Sequence, residues 1–277
     1  MQLKKGIRLS SDLSDMADQV TINDGTMVPT ENSGLSYLSG SYIPKTSWRK
    51  LHDKESSLLF THSKKADFRK SIFVGNIPSQ LKASFEELNL HACTSVDQIL
   101  PAFGNKEEEV KQINKSMHAF LKNCSSTSNY KFHRITRALP NRDTTTCHYV
   151  REKFIYVGLH IDQSRKFTPY TAYKSGNRIS INLGRETRHL AFINLSMLQV
   201  VKMIRECTGL SDASIDCNNI GYLFFKHFPE YPVVKLALKP YQYYIAPTDN
   251  FFHDATTLGK NEIDVTIVYT GLFDMAG

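Results

Sequence analysis

The sequence predicts a mainly β fold with flanking α-helices. Three observations carry that prediction. Short runs of β-branched and aromatic residues, bounded by Gly, Pro, Asn and Asp, recur through the second half of the 277-residue chain, as strands do. A helical period is confined to a few segments, clearest over 107–122. The hydrophobic content of 41% suffices at this length for one sizeable core. Residues 1–277 are therefore expected to form a single domain.

In chain order, residues 1–40 are rich in Ser, Asp, Thr and Gly and are expected to be irregular, with Val20-Thr21-Ile22 adding a strand. Trp48 opens a more structured part. Ser71 to Gly75 reads as a short strand ended by Gly75-Asn76 and Pro78, and Ser84 to Leu88 as a short helix. Over 107–122, Val110, Ile113, Met117, Phe120 and Leu121 recur at helical spacing. Asn105 is placed to cap that helix, and Glu107 to Glu109 suit its positive N-terminal end. Residues 131–139 alternate like a half-buried strand. Residues 140–150 read as a loop leading into a strand over 156–162.

A polar loop over 163–176 follows. Asn177 to Leu183 and Arg188 to Asn194 read as two strands joined by Gly184 to Thr187, hence a hairpin. Arg178, Ser180 and Asn182 would share one strand face. Residues 195–207 and 213–228 read as helices, with Gly209 closing the first and Pro229 the second. They form a helical insertion over 195–228. Strands resume at Val233 to Leu238 and Gln242 to Ala246, turning at Lys239-Pro240. The alternating stretch Glu262 to Tyr269 is the last strand.

The formal net charge is +7. The basic residues are scattered, and Asp53, Glu55 and Asp67 interrupt their densest group, Lys45 to Lys70. With no RNP-like or zinc-finger pattern, a solvated basic surface is expected rather than a nucleic-acid partner. A basic site that draws in an anionic ligand is the other reading. The five cysteines include no CxxC pair, so a disulfide framework is not expected and a reducing cytoplasm is. No apolar run is long enough to span a membrane, no secretory signal is evident, and no membrane partner is expected.

The candidate chemistry sits at Tyr156-Val157-Gly158-Leu159-His160-Ile161-Asp162. Residues two apart in a strand share a face, so His160 and Asp162 would project together while Leu159 and Ile161 face away. An imidazole beside a carboxylate supplies two members of the facial triad that holds non-haem Fe(II). His253, beyond several strands, is the third candidate. Asp249 and Asp254 are alternative oxygen ligands. His118 and His148 read as solvent-facing histidines of a helix and a loop.

This HxD followed by a distal His resembles the Fe(II)/2-oxoglutarate-dependent dioxygenases. The resemblance covers residues 130–273. It implies a double-stranded β-helix, a jelly-roll or cupin-like barrel, with His160, Asp162 and His253 as the metal ligands. It further implies Fe(II) and the co-substrates 2-oxoglutarate and O₂, and oxidation of an unactivated C–H bond in a small amino-acid-like or natural-product substrate. The chain departs from much of that superfamily at one point. Residues 261–273 contain no Arg or Lys, and Lys260 is the only nearby base. The JmjC and asparaginyl hydroxylase branches place a base on a strand following HxD. By that likeness Arg178, and after it Arg188, would hold the distal carboxylate of 2-oxoglutarate, with Ser180, Asn182, Thr266 and Tyr269 as possible hydrogen-bonding partners. Two other readings stay open: a cupin-fold Fe(II) oxidase that does not use 2-oxoglutarate, and a non-catalytic basic binding module.

Overall fold

The computed structural model describes residues 1–30, 34–61, 67–163 and 166–275. Lys64 and Lys65 of the densest basic stretch, Ser164 and Arg165 of the polar loop, and residues 31–33 of the N-terminal segment lie outside the described residues. The strands are β1 (Arg8–Ser11), β2 (Val20–Ile22), β3 (Thr26–Met27), β4 (Ser36–Tyr37), β5 (Ile43–Pro44), β6 (Arg49–Lys50), β7 (Ser71–Asn76), β8 (Tyr130–Ala138), β9 (Cys147–Val150), β10 (Lys153–Tyr156), β11 (Asn177–Asn182), β12 (Arg188–Phe192), β13 (Val234–Leu238), β14 (Gln242–Ala246), β15 (His253–Thr256) and β16 (Asp264–Gly271). The helices are α1 (Asp53–Leu59), α2 (Ser79–Glu87), α3 (Val96–Gly104), α4 (Glu107–Asn123), α5 (Met197–Thr208) and α6 (Ile220–His227).

Two sheets carry the architecture. One has six strands in the order β1-β7-β14-β11-β16-β8, the other five in the order β15-β12-β13-β2-β6. Four antiparallel pairings tie the second half of the chain together: β8 with β16, His160 with His253, β11 with β14, and β12 with β13. Taken in sequence, these pairings fall alternately on the six-stranded and the five-stranded side. From β8 to β16 the chain thus pairs as one long hairpin, its tip at β12 and β13, with rungs that alternate between the two sheets.

That winding corrects one expectation. β11 and β12 do not form a hairpin with each other. β11 pairs with β14 and β16, and β12 with β13 and β15. The physical reason lies in Asn182. Its carboxamide donates to the Glu186 and Leu238 carbonyls and accepts from the Gly184 amide. This turns the chain through a corner from one sheet to the other.

Alternation along the strands sorts the side chains. From the six-stranded sheet, Ile179, Ile181, Tyr243, Ile245 and Ile267 pack outward against Leu81 and Phe85 of α2, Ile99 of α3, and Ile113, Met117 and Phe120 of α4. Their neighbours Arg178, Ser180, Tyr244 and Val268 line a cavity between the sheets. A second cluster joins Leu159 and Ile161 to Val200, Val201 and Ile204 of α5 and to Phe224 and Phe225 of α6.

Residues 1–40 hold more structure than their composition suggests. β1 pairs with β7 and β2 with β13, and Leu3, Ile7, Leu9, Met16, Val20 and Ile22 are buried in the core. Their apolar residues come one or two per segment, too sparse to show a period. Asn105 closes α3 instead of capping α4, whose own N-cap is Lys106. The helix expected from 213 starts at Ile220, because the Asp216 carboxylate accepts from the Asn218 and Asn219 amides and holds a turn ahead of it. α3 is not evident in the sequence because Pro101 sits inside it, although Ser95 and Gln98 form a capping box at its start. Among the described residues, no helix is long and apolar enough to cross a membrane.

Candidate metal centre and its cavity

The segment bearing His160 is not the regular strand expected. β10 ends at Tyr156. Gly158 then takes a φ of 75° and passes so close to the Tyr42 carbonyl that a Cβ there would lie 2.5 Å from its oxygen. Only glycine fits both conditions. Past this kink, His160 forms an isolated antiparallel bridge with His253. The His160 amide donates to the His253 carbonyl at 3.1 Å, and the His253 amide returns the bond at 2.8 Å. The Asp162 amide donates to the Thr248 carbonyl at 3.2 Å. Three short backbone contacts therefore position all three side chains.

The side chains converge. One ligand atom each from His160, Asp162 and His253 lies within 4.8 Å of the others. Asp162 Oδ1 is 3.9 Å from His160 Nε2, and Asp162 Oδ2 is 3.4 Å from His253 Nε2. Each imidazole is tied back through its other nitrogen. His160 Nδ1 lies 2.9 Å from the Gly158 carbonyl, and His253 Nδ1 lies 3.3 Å from the Phe251 carbonyl. A carbonyl can only accept, so both Nδ1 atoms carry the hydrogen. In the neutral rings, both Nε2 lone pairs are then left for an ion.

Asp254 supports this arrangement from behind. Its Oδ2 is 3.5 Å from His160 Nδ1. Its Oδ1 accepts from the Thr145, Thr146 and Ala255 amides and from both threonine hydroxyls. That fixes its carboxylate as the orienting partner of His160, not as a member of the triad. Burial disfavours a charged His160, but Asp254, helped by Asp162 and the Gly158 carbonyl, prevails and pushes its pKa up to about 9. Burial also opposes ionisation of Asp162. His253, Arg178 and His160 outweigh it and hold the carboxyl well below the usual range.

The cavity measures about 260 Å³ and is walled by β8, β11, β12, β14, β15, β16 and the Thr145 to Cys147 segment. Both arginines singled out in the sequence line it. Arg178 Nη1 sits 3.1 Å from Asp162 Oδ2, against the triad itself. Arg188 lies in the wall, with Nε 3.0 Å from Asp264 Oδ2, and it also bonds Tyr244. Its Nη1 is buried with no hydrogen-bond partner. Burial opposes the charge of Arg188, but Asp264 and Tyr244 hold it cationic.

Of the supporting residues considered, Ser180 lines the cavity. Asn182 is engaged in the corner, and Tyr269 packs on the helix side. Thr266 is buried with its hydroxyl unpaired. Asp249 lines an adjoining hollow that shares Arg178. His118, on α4, is bonded to the Tyr130 hydroxyl, and His148 is exposed on β9. The sequence did not single out Asp264 or Tyr244. Their signal is faint: each lies on a run that already read as a strand, at a cavity-facing position.

No protein-family model matches the chain, and no curated protein matches it. Among solved structures the chain is similar to the Kdo hydroxylase KdoO, a non-heme Fe(II) alpha-ketoglutarate-dependent dioxygenase in complex with cobalt(II). The identity is 13%, the TM-score is 0.36, and the match covers 76% of this chain and 87% of that one. A likeness so distant leaves the functional reading to rest on the site.

Proposed function

We propose that this chain is a mononuclear non-haem Fe(II), 2-oxoglutarate-dependent dioxygenase that oxidises an unactivated C–H bond of a small amino-acid-like or natural-product substrate. The reading includes a single domain whose wound hairpin is a double-stranded β-helix. One observation carries it: two imidazole Nε2 atoms and one carboxylate converge at the cavity, each Nδ1 being held by a backbone carbonyl. This donor set suits Fe(II) and leaves positions open for other ligands.

Iron bound there would supply the activation of O₂ coupled to oxidation of 2-oxoglutarate. The chain's own residues do the rest. Arg178 orients the Asp162 carboxylate, and Asp254 fixes the His160 ring. Of the two candidate arginines, Arg188 is assigned the distal carboxylate of 2-oxoglutarate. It is buried, cationic and has an unpaired Nη1, whereas Arg178 is turned toward the triad. Leu190, Ala255 and Val268 give the cavity apolar wall that limits water.

The test is anaerobic titration of the protein with Fe(II) and then 2-oxoglutarate, watching for the weak visible charge-transfer band of the chelate. The band is expected in the wild type and absent from His160→Ala. Iron binding without a band would favour the oxidase that dispenses with 2-oxoglutarate. The absence of Arg and Lys from residues 261–273 keeps that reading in play. Failure to bind iron would remove both.

A further inference from the structure

The hairpin of β9 and β10 runs outward beside the cavity. Tyr149 pairs with Phe154 across it, and Cys147 with Tyr156. By alternation, Tyr149 shares a face with Cys147, which lines the cavity wall. A row of side chains thus leads from the cavity to solvent. At its outer end Tyr149 is 66% exposed and Phe154 56%, while Val150, 48% exposed, lies on the opposite face of the hairpin tip. The turn is equally unusual. Arg151 and Glu152 both take left-handed backbone, at φ 48° and 63°. Such a turn favours Asn-Gly, yet this chain puts two long charged side chains there.

The charge around this hairpin is one-sided. Between Tyr130 and Tyr156 the chain carries six Lys and Arg residues against two acids. They are Lys131, Arg134 and Arg137 on the edge strand β8, of which Arg134 and Arg137 also line the cavity and Arg137 donates to the Val96 carbonyl, the half-buried Arg142 in the connection, and the exposed Arg151 and Lys153 on the hairpin. Among the described residues none of the six forms an ion pair. A partner suited to this surface would supply both negative charge and an apolar phase.

We propose that the β9–β10 hairpin and the β8 edge dock on an anionic lipid bilayer. Tyr149 and Phe154 enter the interface, while the flanking Lys and Arg side chains lie at the level of the headgroup phosphates. Single-stranded nucleic acid fits less well. It needs a groove and free ring faces for stacking bases. Here the rings project, and Tyr149 and Phe154 are tilted against each other with centroids 5.1 Å apart. This surface does not depend on the iron reading.

The test is co-sedimentation of the full chain with vesicles of phosphatidylglycerol and phosphatidylcholine, beside pure phosphatidylcholine vesicles and a single-stranded oligonucleotide. Binding is expected to the anionic vesicles, weakening as salt rises. The doubles Tyr149→Ser/Phe154→Ser and Arg151→Glu/Lys153→Glu should each lower it at least tenfold with an unchanged melting temperature. Phe154→Trp should show a blue-shifted tryptophan emission on anionic vesicles. The proposal is overturned if anionic vesicles do not bind the chain, or if both doubles bind like wild type. It is equally overturned if Phe154→Trp shows no shift, if only the oligonucleotide binds, or if the aromatic double merely disperses a dimer.

Discussion

The two faces of the six-stranded sheet are built from alternate residues of the same strands, yet they obey different rules. On the outer face, Ile179, Ile181, Ile245 and Ile267 are closed over by α2, α3 and α4. Burial there costs nothing in unmet polar groups. On the inner face, Arg178, Ser180 and Tyr244 share a cavity with Arg188 and the triad. The buried charges beside the triad are held in pairs: Arg178 by Asp162, Arg188 by Asp264, His160 by Asp254. The outer face is organised for stability. The inner face keeps costly buried groups in place, and it is there that the proposed chemistry would sit.

The sharpest way to separate the faces is to delete a triad member. His253→Ala should abolish the iron-dependent spectral change and lower any turnover by at least about a thousandfold, if the donor set is the iron site. Its melting temperature, measured without metal, should stay near that of wild type. A variant that kept full iron affinity would break the assignment of the inner face.

Ile181→Ala probes the other side of the same strand. It empties a fully buried position against the helices and should cost about 2–5 kcal/mol in denaturant unfolding. Iron affinity should not change while the protein remains folded. If affinity fell with stability, the two faces would not be separable.

Asp254→Asn has a smaller reach. It keeps the shape but removes the charge facing His160 Nδ1. Loss of such an orienting group typically lowers metal affinity about 10–100-fold. Isothermal titration with Fe(II) under anaerobic conditions reads it directly. No change would mean that the Gly158 carbonyl alone fixes the ring.

These contrasts also mark what the sequence made legible. The period of α4 and the alternation of β11 and β16 are local properties, and they read directly from the residues. The convergence of His160, Asp162 and His253 was legible from context more than from the triplet: the HxD closes a β-rich run, more strands follow, and a second His lies beyond them. The two-sheet winding was not. β11 and β12 look like a hairpin when read alone, and only the non-local partners β13, β14, β15 and β16 pull them apart. The site's second layer was hidden for the same reason. The Arg188–Asp264 pair joins residues distant in the chain, and the kink at Gly158 answers to Tyr42.

The five-stranded sheet offers a last, smaller test of the division between faces. Its outward side is not sealed by aliphatic side chains alone. His189 and Lys235 stand there in a hollow with Trp48, and the Lys235 amine lies over the indole, 4.2 Å from its centroid. Burial, with Lys260, Lys235 and Arg188 nearby, lowers the His189 pKa to about 4, against an ordinary 6.5. Between those values the unfolded chain binds the extra proton and the folded chain does not. Stability from this group is complete above pH 6.5 and is lost as the pH falls toward 4. The loss should be about 2 kcal/mol, less than the full displacement would give, because the ring is not wholly buried. Urea unfolding at pH 7 and pH 4.5, compared between wild type and His189→Gln, isolates it from the carboxylates that titrate in both. The variant should lose less stability than wild type over that range. Equal losses would show that this outward face tolerates a charged imidazole, and that the contrast between sealed and open faces does not extend to the second sheet.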